Sequence, residues 1–377
     1  MKVCVVGAGA WGAATALFLA RLGASVMLLE ATGHSAGATG FAAGILTTQT
    51  WYEKDSTLVS RTLKHIRDIE TSVPHSVFRR TGMIRIVPAQ DKERLSRLVE
   101  RQRRAGEDAK MIGATDARRF APEIKLREEE EVASYSPQDG YVSPTDLVGA
   151  ELSLARSLRV RYDRRRVTSI TEISSGVKLE ASGAELKFDA VVVTAGVWTR
   201  KLVRDYLDLP VIPYKTQLGL VTYEVGLGPV VDDQALHFYF RPESSKSIAV
   251  GDGTSLGNFD PDNFDTRGET GFQTEVSQKL LSRLGKVESS EFITSWAGLV
   301  GGTPDRHPLL GPINDAGNVI VGCGDNGFGV MRSLAIGEYL AHVACGRQPP
   351  VDLSEFSARR FGARPPKFEP REGFTIY

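Results

Sequence analysis

Apolar residues of this chain are concentrated in short runs that glycines interrupt. Residues 3–6 form an apolar, β-branched run that ends at Gly7, which is typical of a strand buried on both faces. Residues 12–22 then carry alanine and leucine at helical spacing, and residues 25–29 form a second apolar run that ends on Glu30. The pattern therefore predicts a strand, a helix and a second strand at the start of the chain.

Later regions vary this pattern. Residues 188–199 (FDAVVVTAGVWT) indicate a buried strand that runs into a glycine turn, and residues 318–346 indicate a strand, a glycine turn and a helix. Residues 78–89 and 211–253 carry strand-like runs with period-two stretches, which predict an antiparallel sheet. A polar helix is predicted around residues 56–71.

Composition and charge narrow the class of protein. The 377 residues are 41% apolar and 24% charged, which is ordinary for a soluble protein. Lysine plus arginine and aspartate plus glutamate both number 46, so no net charge favours nucleic acid or an anionic membrane. The charged segments 90–106 and 127–134 are predicted to be solvated surface. Cys4, Cys323 and Cys345 are scattered and predict neither a disulfide framework nor a metal site, so a reducing compartment is the simplest interpretation.

The N-terminus has a competing interpretation as a secretory signal. Lys2 precedes an apolar stretch with small residues, as in a signal peptide, but the glycines before residue 24 would break a compact apolar helix. Arg21 and Glu30 then end the stretch too early for a membrane span. We expect a cytoplasmic protein with no transmembrane segment, and peripheral attachment to a membrane stays open.

The first glycines fit a nucleotide-binding turn. The order strand, Gly7-x-Gly9-x-x-Gly12, helix, strand and acid is the βαβ pattern that binds dinucleotides. Gly7 makes the tight turn, Gly9 lets the backbone approach a pyrophosphate, and Gly12 lets the helix pack closely on the strand. Glu30 lies 18 residues after Gly12, where a carboxylate can accept hydrogen bonds from a ribose diol. Trp11 is expected to be a packing residue more than a stacking platform.

The remaining glycine turns favour a flavin over a nicotinamide cofactor. Residues 33–46 form a small-residue loop, where a nicotinamide dehydrogenase of the usual plan would continue with strand–helix repeats. The glycines within residues 322–329 place backbone N–H groups at a second predicted helix start, at 327–331, which suits an electron-rich ligand. Three glycine turns spread through one chain imply a long cofactor that touches several strand ends.

Seven stretches of the chain carry a family resemblance. They are VVGAGAWG…LLE, GATGFAAGIL, PQDGYVSPTDL (137–147), VVVTAGVWT, WAGLVGGTPDRHPLLGPI (296–313), GCGDNGFGVMRSLAIGEYLA and VDLSEFSARRF (351–361). In this order they resemble the FAD-dependent D-amino-acid oxidase superfamily. Within it, the chain is similar to the group of glycine oxidase, the sarcosine oxidase β-subunit and the dye-linked proline dehydrogenase β-subunit. A generic Rossmann enzyme is the alternative.

The resemblance implies an α/β fold with the two-domain architecture of p-hydroxybenzoate hydroxylase. A Rossmann-like FAD-binding domain would lie beside a second domain built on an antiparallel sheet. The FAD-binding domain would be discontinuous, with residues 1–75, 140–210 and 295–377, and the substrate domain would comprise residues 76–139 and 211–294. Hydride would pass from the carbon next to an amine to flavin N5, while the protein positions the substrate and tunes the flavin. The helix start at 327–331 would direct its positive dipole end towards the flavin pyrimidine.

Positions that match the family imply a set of cofactor-binding residues. They are Gly7, Gly9, Ala10, Trp11, Gly12, Glu30, Ala31, Ala38, Thr39, Ala43, Gly44, Ile45, Val167, Thr194, Ala195, Gly196, Trp198, Gly298, Leu299, Asp325, Asn326, Gly327, Phe328, Gly329, Val330 and Met331. The FAD is expected to be non-covalent, because Gly298 stands where monomeric sarcosine oxidases have the attaching cysteine, and Cys323 lies in the glycine turn instead. No metal is implied.

The family's familiar substrate anchors are absent. The positions of its carboxylate-binding arginines and lysine are occupied here by Val300, Gly327, Met331 and Thr47. An α-amino-acid substrate therefore does not follow from the resemblance alone. Tyr239 matches a substrate-lining tyrosine, and Arg241, two residues further along the predicted strand, is expected on the same face. We predict Arg241 as the carboxylate ligand, with a surface arginine before a turn as the alternative.

Other side chains are weaker candidates for the substrate pocket. Arg332 and Arg85 are the next candidates for a carboxylate ligand. The polar side chains expected to line the pocket from the flavin side are those of Thr47, Thr48 and Gln49. His307 could be a base, but a structural or loop role is favoured.

The resemblance also bears on the electron acceptor. Ala249 stands where sarcosine oxidases carry a lysine that activates oxygen. Without that cation, charge that develops on oxygen is poorly stabilised, which favours a dehydrogenase that passes electrons to a quinone, a dye or a partner subunit. The expected substrate is a small amino or imino acid such as proline, sarcosine or glycine.

Two alternatives stay open at this point. The same fold could oxidise a hydroxy acid, or the chain could be a flavin-binding, electron-relaying subunit without catalysis in a larger complex. A homo- or hetero-oligomer is compatible with either. The basic, proline-rich tail at 358–374 could dock on a partner or wrap its own domain.

Overall fold

The computed structural model describes residues 1–223, 228–252, 257–285, 290–362 and 366–368. Most of the tail beyond residue 362, for which docking or wrapping is predicted, lies outside these ranges. Residues 224–227 and 253 of the predicted strand region 211–253 also lie outside them. The α-helices are Ala10–Arg21, Ala38–Phe41, Glu53–Glu70, Lys92–Arg104, Ala114–Phe120, Pro144–Ser157, Thr199–Val203, Thr270–Arg283 and Ser333–Ala344. Short 3₁₀ helices cover Ala89–Asp91, Gly196–Trp198 and Ser354–Phe356.

A largely parallel sheet is built around the first strand. Its order is Leu309–Pro312, Val319–Cys323, Ala190–Val193, Lys2–Val6, Ser25–Glu30 and Arg161–Arg164. The strand Leu309–Pro312 is antiparallel to its neighbour, and the other pairs are parallel. The predicted strand–helix–strand unit is therefore present, and its first strand, whose residues 3–6 are all buried, has parallel neighbours on both sides.

A second, larger sheet is mixed. Its order is Phe292–Gly302, Ile212–Thr222, Ser247–Gly251, Phe238–Ser244, Val230–Asp233, Met83–Pro88, Glu131–Ser136 and Lys110–Ile112. The pairing of Val230–Asp233 with Met83–Pro88 is parallel, whereas an antiparallel sheet is predicted from the sequence. The strand Phe292–Gly302 crosses the predicted domain boundary at 294/295 and pairs with Ile212–Thr222.

Two small sheets complete the strands of the described residues. One contains Val167–Ile173, Gly176–Ala181 and Ala184–Phe188, and the other contains Ile45–Leu46, Gly140–Val142 and Phe78–Arg79. Among the helices of the described residues, none is long and apolar enough to cross a membrane.

The acidic segment 127–134 is predicted to be solvated surface, but part of it is buried. Glu131 begins a strand and is buried, because the guanidinium of Arg283 donates to both of its carboxylate oxygens, over 2.8 and 2.9 Å. Burial by itself would raise the pKa of Glu131, but hydrogen bonds from Arg283 and Arg127 lower that pKa to about 2. A charge run by itself does not show that one of its members has a buried partner far along the chain.

Candidate functional site

A cavity of about 840 Å³ lies where the two large sheets meet. One wall is formed at the carboxyl ends of the parallel strands, with Gly7, Glu30 and Thr194. The other wall is formed by the mixed sheet, with residues such as Leu218 and Tyr239. The carboxyl edge of a parallel sheet is where α/β folds of this kind bind ligands.

A tight turn joins the first strand to the first helix. Gly7 has a φ of +102°, and a Cβ atom there would lie 2.6 Å from the carbonyl oxygen of Thr194. A Cβ atom on Gly12 would lie 1.8 Å from the carbonyl oxygen of Gly7. Both positions therefore require glycine. Gly12 packs the helix on this turn, as its place in the motif predicts, and is not among the described residues that line the cavity.

The helix Ala10–Arg21 begins at the cavity. The N-cap is Gly9, which has no side chain to cap the helix, and the first turn carries no acidic residue. Gly9, Ala10 and Trp11 line the cavity, and the Ala10 amide donates to Thr39 Oγ1 over 3.1 Å. The positive end of the helix dipole is thus available to an anionic group of a ligand.

Glu30 is fixed at the end of the second strand. One carboxylate oxygen accepts a hydrogen bond from the Ala8 amide over 2.8 Å, and the other accepts one from the Thr32 amide over 2.9 Å. Glu30 lines the cavity beside the glycine turn. It is therefore placed to accept hydrogen bonds from a diol.

The glycine turn at 324–331 differs in detail from its prediction. The helix begins at Ser333 with Arg332 as its N-cap, so residues 327–331 form the turn before the helix and not its first turn. Trp11 packs against this turn, since its indole N–H donates to the Gly329 carbonyl oxygen over 2.7 Å. The Asn326 side chain accepts from the Thr303 amide over 3.0 Å, so Asn326 holds the turn from behind and is not among the described residues that line the cavity.

All other residues predicted to bind the cofactor line the cavity. They are Gly7, Gly9, Ala10, Trp11, Glu30, Ala31, Ala38, Thr39, Ala43, Gly44, Ile45, Val167, Thr194, Ala195, Gly196, Trp198, Gly298, Leu299, Asp325, Gly327, Phe328, Gly329, Val330 and Met331. An extended dinucleotide fits this lining, because a helix start without a side-chain cap and a carboxylate lie at the ends of neighbouring parallel strands. Among the described residues, no group of three His, Cys, Asp or Glu side chains is placed to hold a metal ion.

The predicted carboxylate ligand, Arg241, has a different place. It is not among the described residues that line the cavity. Its Nε donates to the carbonyl oxygen of Ala43 over 2.5 Å and its Nη1 pairs with Glu243, while the guanidinium lies 4.5 Å from the centre of the Tyr141 ring. Tyr239 lines the cavity, as the period-two alternation of the strand predicts. Arg241 is the next residue on that face, but the loop at 42–45 lies between it and the cavity.

Only one of the three polar residues after the small-residue loop lines the cavity among the residues that the structure describes. Thr47 lines the cavity, whereas Thr48 and Gln49 are not among the described lining residues. All three bind the buried carboxylate of Asp139, through Thr47 Oγ1 at 2.6 Å, the Thr48 amide at 3.0 Å and Gln49 Nε2 at 3.4 Å. These hydrogen bonds hold the segment to the turn that carries Asp139, between the strands Glu131–Ser136 and Gly140–Val142.

Two buried arginines line the cavity instead, and each pairs with an aspartate. Arg332 Nη2 lies 2.7 Å from Asp55 Oδ2, and Arg85 Nη2 lies 2.8 Å from Asp232 Oδ2. All four residues line the cavity. Both arginines were secondary candidates, while the aspartates were missed. Charged residues inside otherwise apolar runs, as at Arg85 and Asp232, are the signal that could have indicated them.

His307 lies in the cavity wall as well as in a loop. Its ring packs against Tyr52 and Phe356, with ring centres 4.4 and 5.3 Å away. Burial lowers its pKa, although the charges of Asp305 and Asp55 act in the opposite direction. Burial thus favours the neutral form of the ring, and His307 contributes to the cavity wall.

Comparisons with known proteins agree with this geometry. A family model described as FAD dependent oxidoreductase matches residues 2–343. A glycine oxidase from Geobacillus kaustophilus is 28% identical over 370 residues, which cover 95% of this chain and 96% of that protein. Monomeric sarcosine oxidase from Bacillus sp. (strain B-0618) is 23% identical over 376 residues, covering 95% of each. The crystal structure of L-proline dehydrogenase from P. horikoshii superposes with a TM-score of 0.88 at 21% identity, covering 96% of this chain and 97% of that one. The structural match confirms the predicted fold class.

Proposed function

The chain belongs to the family of FAD-dependent oxidoreductases, as its motifs predict, and on that premise we propose that its substrate is a small amino or imino acid. Proline, sarcosine and glycine are examples of this class. When bound, FAD supplies the flavin N5 that accepts a hydride from the carbon next to the amine. The protein's own part is to bind the carboxylate, orient the amine and exclude water.

The proposal of a carboxylate-bearing substrate rests on the burial and the incomplete hydrogen bonding of Arg332. Its side chain is 1% exposed and its Nη2 is held by Asp55, while Nε and Nη1 are buried without a hydrogen-bond partner. Unsatisfied donors on a buried cation are costly. A substrate carboxylate would provide the missing acceptors in a charge-assisted hydrogen bond. We therefore assign carboxylate binding to Arg332, in place of Arg241.

Other parts of the lining support the orientation of such a substrate. Burial raises the pKa of Tyr239, so its phenol remains protonated and can donate a hydrogen bond. The Phe328 ring lies 4.7 Å from the Arg332 guanidinium, which restricts where the guanidinium can move.

We further propose that the FAD is held without a covalent bond. Cys323 lines the cavity, but burial raises the pKa of its thiol. A protonated thiol is a poor nucleophile.

The cofactor-binding unit is proposed to comprise residues 1–75, 140–210 and 295–377, with residues 76–139 and 211–294 forming the substrate unit.

A dehydrogenase is proposed over an oxidase. Among the described residues that line the cavity, Lys201 is the one lysine, and its side chain is 76% exposed and pairs with Asp262. A buried lysine that could stabilise reduced oxygen is thus not among those residues. Ala249, at the position of the oxygen-activating lysine, is buried in the mixed sheet. The electron acceptor is then a quinone, a dye-like molecule or a partner subunit.

The decisive experiment is anaerobic mixing of the FAD-loaded protein with separate panels of amino and imino acids and of hydroxy acids. The expected result is bleaching of the oxidised flavin band by a member of the first panel, with fast re-oxidation by an artificial dye and slow re-oxidation by air. Bleaching by hydroxy acids alone would replace the proposed substrate class. If neither panel bleached the flavin, an electron-relay subunit would be the better interpretation, and rapid peroxide formation in air would overturn the choice of dehydrogenase.

A further inference from the structure

The second arginine–aspartate pair of the cavity wall is not used by the function proposed above. The side chains of Arg85 and Asp232 are 4% and 3% exposed. Their contact joins Arg85 Nη2 to Asp232 Oδ2, which leaves Arg85 Nε and Asp232 Oδ1 buried without a hydrogen-bond partner. Gln234 Nε2 donates to the same Asp232 oxygen over 3.2 Å. A buried ion pair is stable when its remaining donors and acceptors are satisfied, and this pair lacks partners on both sides.

This pair lies on the same sheet surface as Tyr239. Asp232 is directly opposite Arg85 on one neighbouring strand and opposite Tyr239 on the other. Residues directly opposite each other in a sheet place their side chains on the same face. All three line the cavity, so a polar row crosses its floor from Tyr239 to Arg85.

One short segment connects this row to Arg332. The Trp51 ring lies 5.1 Å from the Arg85 guanidinium, and its indole N–H donates to Gln234 Oε1 over 3.2 Å. Four residues later, Asp55 holds Arg332. The charges of Arg85 and Asp55 both act on Arg101, whose pKa is lowered mainly by burial. Residues 51–55 therefore contact both guanidinium groups, one from a sheet and one from the turn before a helix.

We propose that the substrate carries a second carboxylate and that Arg85 binds it while Arg332 binds the first. This inference rests on the proposed function. It narrows the substrate class from small amino acids in general to amino dicarboxylates, in which the second acid group is on the side chain or on a substituent of the amine. A second acid group would provide an acceptor for Arg85 Nε, which a substrate with a single carboxylate, such as proline, would leave without a partner.

The protonation state of Asp232 determines whether Arg85 can bind an anion. Asp232 neutralises Arg85 when it is ionised, but burial raises the pKa of Asp232 in spite of Arg85 beside it. Uptake of a proton by Asp232 would leave the charge of Arg85 to the ligand. The described charged groups that face Arg85 include Asp232, which pairs with it, and Arg101, on which its charge acts. Arg94 shares the Trp51 contact, with its guanidinium 3.9 Å from the centre of that ring.

The test compares ligands that differ by one carboxylate. Sarcosine and iminodiacetate differ in a group on the amine, and glutamine and glutamate differ at the end of the side chain, so the two pairs distinguish the two locations of the second acid. Dissociation constants come from the rate of anaerobic flavin reduction. A second readout without turnover is the shift of the flavin absorbance on titration with butyrate or glutarate. We expect the diacid of at least one pair, and glutarate over butyrate, to bind about tenfold more tightly or better.

The variant Arg85→Gln should reduce the diacid-to-monoacid affinity ratio to about one. Because it leaves Asp232 as a buried, unpaired acid, the double variant Arg85→Gln/Asp232→Asn is the control for a folding defect and should show the same loss of preference. Arg97→Gln, on the helix Lys92–Arg104 with a 70% exposed side chain, is the matched control and should keep the ratio of the wild type.

Two outcomes separate this inference from the proposed function. Monoacids that reduce the flavin and bind as tightly as the matching diacids would overturn the second carboxylate site and leave the proposed function standing. A preference for glutarate that depends on Arg85, with no flavin reduction by any amino acid, would support the site and overturn the proposed function. A diacid preference that persists unchanged in both Arg85 variants would also overturn the assignment.

Discussion

The Arg241 side chain donates its Nε proton to the carbonyl oxygen of Ala43 over a distance of 2.5 Å. Ala43 belongs to the small-residue loop and lines the cavity, whereas Arg241 is not among the described lining residues. The strand Phe238–Ser244 thus holds the loop from outside. An arginine that resembles a substrate ligand in the sequence is in this structure a residue that positions a loop of the cavity wall.

Arg241→Ala should therefore weaken FAD retention and lower thermal stability. The change leaves the partly buried Ala43 carbonyl oxygen without its donor, at a cost of about 1 kcal/mol. Flavin released on dialysis and the melting temperature measure the effect. A variant that kept its flavin and melting temperature but bound carboxylates weakly would return Arg241 to the substrate pocket.

Arg332→Gln should weaken the binding of a monocarboxylate without loss of the flavin. A hydrogen bond to a charged group contributes about 1.5–3 kcal/mol, which corresponds to a rise in the dissociation constant of roughly 10- to 150-fold. Titration with butyrate, followed by the flavin absorbance, measures it. Arg332→Lys keeps the charge and should recover part of the loss, and an unchanged constant in Arg332→Gln would exclude Arg332 as the ligand.

Gly12→Ala should prevent formation of the cofactor-binding turn. The added methyl carbon would lie 1.8 Å from the Gly7 carbonyl oxygen, which belongs to the backbone and cannot simply rotate away. Gly149→Ala is the matched control, because the helix Pro144–Ser157 leaves open space around that position. Alanine there should stabilise the protein by up to about 1 kcal/mol. Soluble yield and flavin content distinguish the two, and normal flavin content in Gly12→Ala would contradict the packing.

The stability of the protein should depend on Asp139 in weakly acidic solution. Burial raises the pKa of this carboxyl from 3.8 to about 6, in spite of hydrogen bonds from Thr47 and Thr48. Folding therefore takes up a proton, and the resulting stabilisation is complete below pH 3.8 and is lost as the pH rises through about 6. The contribution is on the order of 3 kcal/mol.

Asp139→Asn should flatten the dependence of the unfolding free energy on pH in that range. Urea unfolding at a series of pH values measures it. Asp315→Asn, at a side chain that is 97% exposed, should keep the slope of the wild type. An Asp139→Asn variant with that same slope would show that another group takes up the proton.

The sequence by itself determined the cofactor half of this protein. The positive φ of Gly7 and the close approach of Gly12 to the Gly7 carbonyl oxygen are local constraints, since both arise within one turn of the chain. The position of the Glu30 carboxylate beside the glycine turn follows from the lengths of the helix Ala10–Arg21 and the strand Ser25–Glu30. Such features depend on neighbours in the chain, and a periodic pattern records them.

Tertiary structure alone decided the substrate half. Arg85, Arg241 and Arg332 have the same chemistry in the sequence, and what distinguishes them is which group lies opposite: an aspartate of a neighbouring strand, the carbonyl of a distant loop, or an aspartate at a helix start. A guanidinium on a long side chain can contact partners that are far away in the sequence. Neither the spacing of residues nor their alternation along a strand therefore predicts which partner it binds. The role of each arginine was therefore set by packing between segments and not by the segment that carries it.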